Sequence, residues 1–216
     1  MPEPLAVISD FGGVLTTPLE AAFLAAQADL GIPIEAYGAA LAKARDRGEP
    51  PLFPLERGEI TEAEFLRATE AGLTEVLGRP ISLDGFGARL LGALHPNEEL
   101  FAYYRELRAA GVRLALLTNN VREWEAHWRA LLPIDEVFEV VVDSAFVGMR
   151  KPEPGIYALT LERLGLPADA CVFVDDLEIN VAAAREAGMT GIVHRDTAET
   201  IGALRAQFSE PSRSQQ

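Results

Sequence analysis

The chain has 216 residues, 49% of them hydrophobic, enough to bury a sizeable core in one large domain or one domain carrying an insertion. Nineteen Lys and Arg against 33 Asp and Glu leave a formal charge of −14, which argues against a nucleic-acid partner, because phosphate backbones require a cationic footprint. Cys171 is the single cysteine, no apolar run approaches the ~20 residues of a bilayer span, and the first residues lack a basic, signal-like segment, so a soluble cytoplasmic protein without a membrane partner is expected.

In chain order, Leu5–Ile8 reads as a buried strand that runs into Asp10-Phe11-Gly12-Gly13. From about Thr16 to Leu94 strand signals stop and helical ones take over. Thr17-Pro18-Leu19-Glu20 combines a cap, a proline for the first helical position and a capping-box glutamate, predicting a helix to Gly31. Thr61-Glu62-Ala63-Glu64 repeats the box, and the Pro-rich piece Glu49–Pro54 reads as a bend between helices. Asn97 can cap a helix reaching Gly111, with Glu98 and Glu99 in its first turn. Val112–Leu117 and Val137–Val142 are the second and third predicted strands. Pro154 can begin a helix ending near Gly165. Cys171–Val174 is the fourth strand, a helix follows from Asn180 to Gly188, and Gly191–His194 is the fifth strand. The strands are near-continuous apolar runs rather than alternating ones, as expected of a parallel sheet covered on both faces. The expected fold is a doubly wound α/β core with an α-helical insertion after the first strand. The final stretch SEPSRSQQ is polar and expected to fray.

Open α/β sheets bind ligands beyond the carboxyl ends of their strands. Asp10 ends the first strand, Thr118 and Asn119 the second, and Asp175 and Asp176 the fourth; Lys151 lies in the loop after the third. This topology brings carboxylates, an ammonium and a hydroxyl–amide pair to one edge. Such a set suits Mg²⁺, which takes a few hard oxygen ligands, and a phosphate, whose oxygens take cations and hydrogen-bond donors.

Asp10-Phe11-Gly12-Gly13-Val14-Leu15, Leu117-Thr118-Asn119-Asn120, Lys151-Pro152-Glu153-Pro154-Gly155-Ile156-Tyr157 and Val174-Asp175-Asp176-Leu177-Glu178-Ile179-Asn180, ending in Ala187-Gly188-Met189, resemble in order the motifs of the haloacid dehalogenase-like hydrolase superfamily. The match is to the branch with a helical cap inserted after the first motif. The resemblance implies a core of residues 1–16 and 92–216 and a cap of residues 17–91. It implies Mg²⁺-dependent hydrolysis of a small phosphorylated metabolite. Asp10 would be the nucleophile that forms an aspartyl-phosphate. Thr118, with Asn119 alongside, would bind the phosphoryl group, and Lys151 would neutralise it. The metal would be held by Asp10, the Gly12 carbonyl and Asp175; Asp176 would bind through water or orient that ligand, and Asn180 would support the fourth motif.

Gly12 departs from the family pattern. Most phosphatases of the superfamily carry an aspartate there, which protonates the leaving oxygen and later helps activate water. Glycine keeps the carbonyl and loses the acid/base group, and in this the sequence resembles the sugar-phosphatase-like and epoxide-hydrolase-N-domain-like members. Slow turnover, a substrate with a good leaving group, or a proton from elsewhere would follow. Two rival functions remain at this level: a 2-haloacid dehalogenase, in which Asp10 attacks carbon without Mg²⁺, and a non-enzymatic phosphate-binding or scaffold protein.

Blander roles are expected for other polar residues. Thr17 and Glu20 read as a capping box, with Glu20 a lesser candidate for the missing acid. His95, His127 and His194 lack metal-ligand spacing. Trp124 and Trp128 lie four apart and are expected to pack. Arg45, Arg47 and Arg57 are read as mainly solvated, one of them a candidate for reaching substrate. Cys171 is expected in the core.

Overall fold

Five strands form one parallel sheet: β1 (Ala6–Ser9), β2 (Arg113–Thr118), β3 (Val140–Asp143), β4 (Cys171–Asp175) and β5 (Thr190–Val193), in the spatial order β3-β2-β1-β4-β5. The computed structural model describes residues 5–46 and 48–208. Arg47, the side chain of Arg45 and the tail from residue 209, expected to fray, lie outside the described residues. All five predicted strands exist, within a few residues of their expected bounds. The exception is the start of the third. Ile134–Val137 is a helical turn, with Phe138 N donating to the Ile134 carbonyl, and β3 begins only at Val140. A short apolar run does not distinguish a buried strand from a buried helical turn, and Pro133 ahead of two acidic residues favours the turn.

Side chains alternate across the sheet, but both faces are covered. Val7, Leu114, Leu116, Val172 and Val174 pack on one face under the helices Glu98–Ala109 and Thr197–Gln207. Ala6, Ile8, Ala115, Leu117, Cys171 and Phe173 pack on the other under Pro154–Leu164 and Glu178–Glu186. This is why the strands read as continuous apolar runs: each central residue is 0–1% exposed whichever way it points. A fully buried Leu, Ile or Val contributes roughly 1.5–3 kcal/mol.

Between β1 and the helix Glu98–Ala109 that leads into β2, the described residues form five further helices, Leu19–Asp29, Ile34–Asp46, Leu52–Glu56, Glu62–Leu77 and Phe86–Gly92. They enclose a separate apolar cluster that includes Ala22, Tyr37, Leu73, Leu83 and Phe86, with Trp124 and Leu131 packed against both this cluster and the sheet's own core. The two crossings between the layers are stitched together. Thr16 bridges Pro96, Thr17 N donates to the His95 carbonyl (2.8 Å), and Asn97 N donates to the Leu15 carbonyl (2.8 Å).

The helix starts divide. Asn97 caps as expected, its side chain accepting from Leu100 N, and Thr61 forms a complete capping box with Glu64. The box expected at Thr17 does not form. Pro18 is the cap residue, without a side-chain hydrogen bond, and the Thr17 hydroxyl instead accepts from His95 N (3.1 Å). The crossing between the layers takes the group that a local motif would have used. The Glu49–Pro54 bend is shorter than expected, since Leu52 already begins the helix Leu52–Glu56.

Candidate active site

The order β3-β2-β1-β4-β5 reverses at β1, so the loops after β1, β2 and β4 meet at the switch point of the sheet. Asp10 follows β1 and is anchored by its own N–H to the Val174 carbonyl of β4 (2.8 Å). The turn behind it closes through Leu15 N donating to the Phe11 carbonyl (2.8 Å) and Gly13 N to the Thr16 hydroxyl (3.1 Å). Gly13 sits at φ 81°, and a Cβ there would run into the Asp176 carboxylate. Glycine is therefore required at residue 13 on two counts. Gly12 does not share that backbone demand; a Cβ there would meet the Leu19 side chain at 2.7 Å.

Lys151 is the hub. It is 1% exposed, and its Nζ lies 2.7 Å from Asp10 Oδ1 and 2.6 Å from Asp175 Oδ2. Asn119 holds its backbone from both sides: Lys151 N donates to Asn119 Oδ1 (2.8 Å) and Asn119 Nδ2 donates to the Lys151 carbonyl (3.0 Å). Asn119 thus positions the lysine loop with both ends of its amide. Thr118 ends β2 and is 2% exposed; its hydroxyl has only a long contact to the Asn119 carbonyl (3.5 Å). Asp175 is fully buried and accepts from Leu177 N (2.9 Å) and from Asn180 Nδ2 (3.0 and 3.2 Å to its two oxygens). Tyr157 donates to the Asn180 carbonyl (2.9 Å), fixing the helix that carries it.

Carboxylate oxygens of Asp10, Asp175 and Asp176 lie within 4.8 Å of one another. Burial pushes the Asp10 carboxyl up to about 8; the Lys151 ammonium opposes this, while Asp175 and Asp176 add to it. Asp176 is pushed up to about 6, again by burial and then by Asp175. With all three carboxylates ionised beside one ammonium the cluster carries a formal −2, which one divalent cation would balance, and such an ion would favour the ionised forms that burial opposes. Hard oxygen donors in this arrangement fit such an ion.

An apolar cleft of about 490 Å³ opens from this edge into the helical layer, lined by Phe11, Gly12, Thr118 and Asn119 at one end and by residues such as Phe23, Phe65 and Leu90 beyond. Glu20 is exposed and is not among the cleft's lining residues, whereas Glu56 is. Trp128 packs on Phe11 (5.1 Å between ring centroids) and is 1% exposed. His194 bonds the Thr200 hydroxyl (2.8 Å), and Cys171 is fully buried. Arg57, read as solvated, is instead only 14% exposed and tied to Glu49, Glu59 and Glu153. Arg150 pairs with Glu56 (2.5 Å) across the two layers, an interaction that adjacent charges in the sequence do not reveal.

A haloacid dehalogenase-like hydrolase family model matches residues 4–188. A sesquiterpene phosphatase of Aspergillus oryzae is 32% identical over 166 residues, covering 68% of this chain and 81% of that protein. Acyl-CoA dehydrogenase family member 10 of Mus musculus is 29% identical over 187 residues, 85% of this chain but 17% of that protein. The chain spans well under two thirds of the length of the first curated relatives it matches. An HAD family enzyme from Bacteroides thetaiotaomicron, solved in complex with magnesium and inorganic phosphate, shares the fold at a TM-score of 0.63 and 22% identity, covering 89% of this chain and 94% of that one. With the family model spanning strands β1 to β4 and every loop of the carboxylate cluster, the chain belongs to the haloacid dehalogenase-like hydrolases.

Proposed function

We propose that this hydrolase cleaves phosphate monoesters in a Mg²⁺-dependent reaction, with Asp10 as the nucleophile. The observation that carries the reading is the single buried ammonium of Lys151 held between Asp10 and Asp175, with Asp176 beside them. The phosphatase named among the relatives and the fold neighbour solved with magnesium and phosphate support it. Residues 17–91 act as the cap over a core of residues 1–16 and 92–216.

Asp10, Asp175 and the Gly12 carbonyl would hold the ion, which supplies charge neutralisation and polarises a phosphoryl oxygen. Asp10 attacks phosphorus, the bond to the ester oxygen breaks, and an aspartyl-phosphate forms. Water then attacks that phosphorus, releasing phosphate and restoring the carboxylate. Lys151 balances charge on Asp10 and on the transferring oxygens, while the Thr118 hydroxyl donates to them. Asn119 keeps the lysine loop in place, Asp176 orients the metal side, and Asn180 fixes Asp175. Gly12 supplies no proton to the leaving oxygen and no base for the water. General acid–base help is worth roughly 10²–10⁴-fold, so turnover is slow for esters of basic alcohols.

The direct test measures phosphate release with and without Mg²⁺ for the wild type and Asp10→Asn. Release that depends on both the ion and Asp10 is expected; equal rates in the two proteins overturn the assignment. Chelator-insensitive release of halide from a 2-haloacid would instead favour the dehalogenase reading.

A further inference from the structure

We propose that the cleft under the cap binds an apolar substrate body, so that the enzyme acts on phosphate esters of hydrophobic alcohols, aryl or enol esters above all, rather than on sugar phosphates. This rests on the phosphatase reading above and names its substrate class.

Three observations carry it. The first is size and continuity. The cleft of about 490 Å³ starts at Gly12, Thr118 and Asn119, beside the Asp10 cluster, and runs into the helical layer. That volume lies within the roughly 300–1,000 Å³ of sites that enclose most of a small molecule. The second is uncovered apolar surface. Leu19, Leu41 and Leu52, all lining the cleft, are 41%, 51% and 39% exposed, and Phe23 and Phe65 complete the wall. Large apolar groups left open around one cavity mark a binding surface.

The third is the state of the polar groups in the lining, most of which already have partners within the protein. Lys43 pairs with Glu75 (2.8 Å), Glu49 with Arg57 (2.5 Å) and Glu56 with Arg150 (2.5 Å). The Thr69 hydroxyl donates to the Phe65 carbonyl (2.9 Å), and Asn119 is taken up by Lys151. The indole N–H groups of Trp124 and Trp128 lack partners but are sealed from solvent. A sugar ring placed here would find few uncommitted partners, chiefly the Tyr37 and Thr118 hydroxyls, whereas an alkyl or aryl body needs none. Gly12 narrows the class further. Without a proton donor at that position, a leaving oxygen that is stable as an anion is favoured, and an aryl or enol oxygen meets that demand more readily than an alkoxide.

The test uses 4-alkylphenyl phosphates from methyl to octyl, in which the leaving oxygen stays constant while the apolar body grows. The expected result is a rise in kcat/KM of roughly two- to fourfold per added methylene until the cleft is filled, the upper figure corresponding to ~0.8 kcal/mol per buried CH₂. Hexose phosphates should fall below the methyl member. Ala68→Phe, on the cleft wall of the helix Glu62–Leu77, should flatten the chain-length dependence, with folding checked by thermal unfolding. Calorimetric titration with alkylphosphonates and Mg²⁺ reads the same cleft without turnover, and affinity should climb with chain length. A flat or falling length dependence in either assay, or a preference for hexose phosphates, overturns the proposal. Phosphonate affinity that climbs with length while no ester is hydrolysed upholds the cleft and refutes the phosphatase reading instead; an Asp10→Asn variant that remains fully active refutes the assigned nucleophile and leaves the substrate class standing.

Discussion

Gly12 and Gly13 stand side by side and answer to different physics. Gly13 is held by backbone conformation and by the Asp176 carboxylate, while Gly12 faces the Leu19 side chain, which is 41% exposed and free to turn aside. Restoring the acid with Gly12→Asp is therefore opposed by one movable leucine, and Gly12→Asp with Leu19→Ala removes the obstacle. If the missing acid limits turnover, the double variant should raise kcat on alkyl phosphates by about 10²-fold or more and change aryl phosphates little; an equal gain on both would remove the acid from the account. Asp143 offers a test of burial itself. Its carboxyl is 6% exposed, pushed up to about 6 by burial, with Ala145 N–H opposing, and its Oδ2 has no partner. The folded pKa lies above the unfolded one, so the folded state binds more protons between about pH 4 and about pH 6, and stability falls as pH rises through that window. From about pH 4 to about pH 7, Asp143→Asn should gain up to roughly 3 kcal/mol relative to the wild type in chemical unfolding. A pH-independent difference would exclude this source.

Among the elements, helix starts show where local chemistry prevails. Thr61 and Glu64 satisfy each other's backbone N–H groups in a box that needs nothing from the rest of the chain. Thr61→Ala should cost about 1 kcal/mol, read as a fall in Tm of about 2–4 °C for a chain of this size. No change in Tm would mean that the helical layer melts apart from the sheet. At Thr17 the same residue types fail to form the box, because Pro18 caps the helix and the hydroxyl serves the strand-like crossing at His95.

Across the molecule, the loop that carries Lys151 is gripped from both layers. Asn119 holds it from the sheet, while Arg150 reaches into the helical layer, pairing with Glu56 and covering the Phe53 ring at 3.9 Å. The carboxylate cluster meanwhile stores repulsion that a bound cation relieves. Mg²⁺ should therefore raise Tm, by a free energy approaching 2.7 kcal/mol at about one hundred times its Kd, and Asp175→Asn should remove most of that shift. A Tm indifferent to Mg²⁺ in the wild type would show that the cluster does not bind it. No helix among the described residues is long and apolar enough to cross a membrane.

The sequence by itself determined the chain order of the five strands and the helices that start at Thr61, Asn97 and Pro154, because continuous apolar runs, caps, proline starts and glycine stops act over a few residues. It also marked Asp10, Thr118, Asp175 and Asp176 at strand ends and Lys151 in the loop after the third strand as candidate site groups, at the edge where ligands bind in such sheets. Only the tertiary structure decided that Lys151 lies between two particular carboxylates, that Asn119 spends its amide on the lysine backbone, and that Thr17 serves a crossing instead of a cap. The apolar cleft was illegible for the same reason. Its walls come from helices far apart in the chain, and an amphipathic pattern states which residues avoid water without stating whether a neighbouring helix or a ligand covers them.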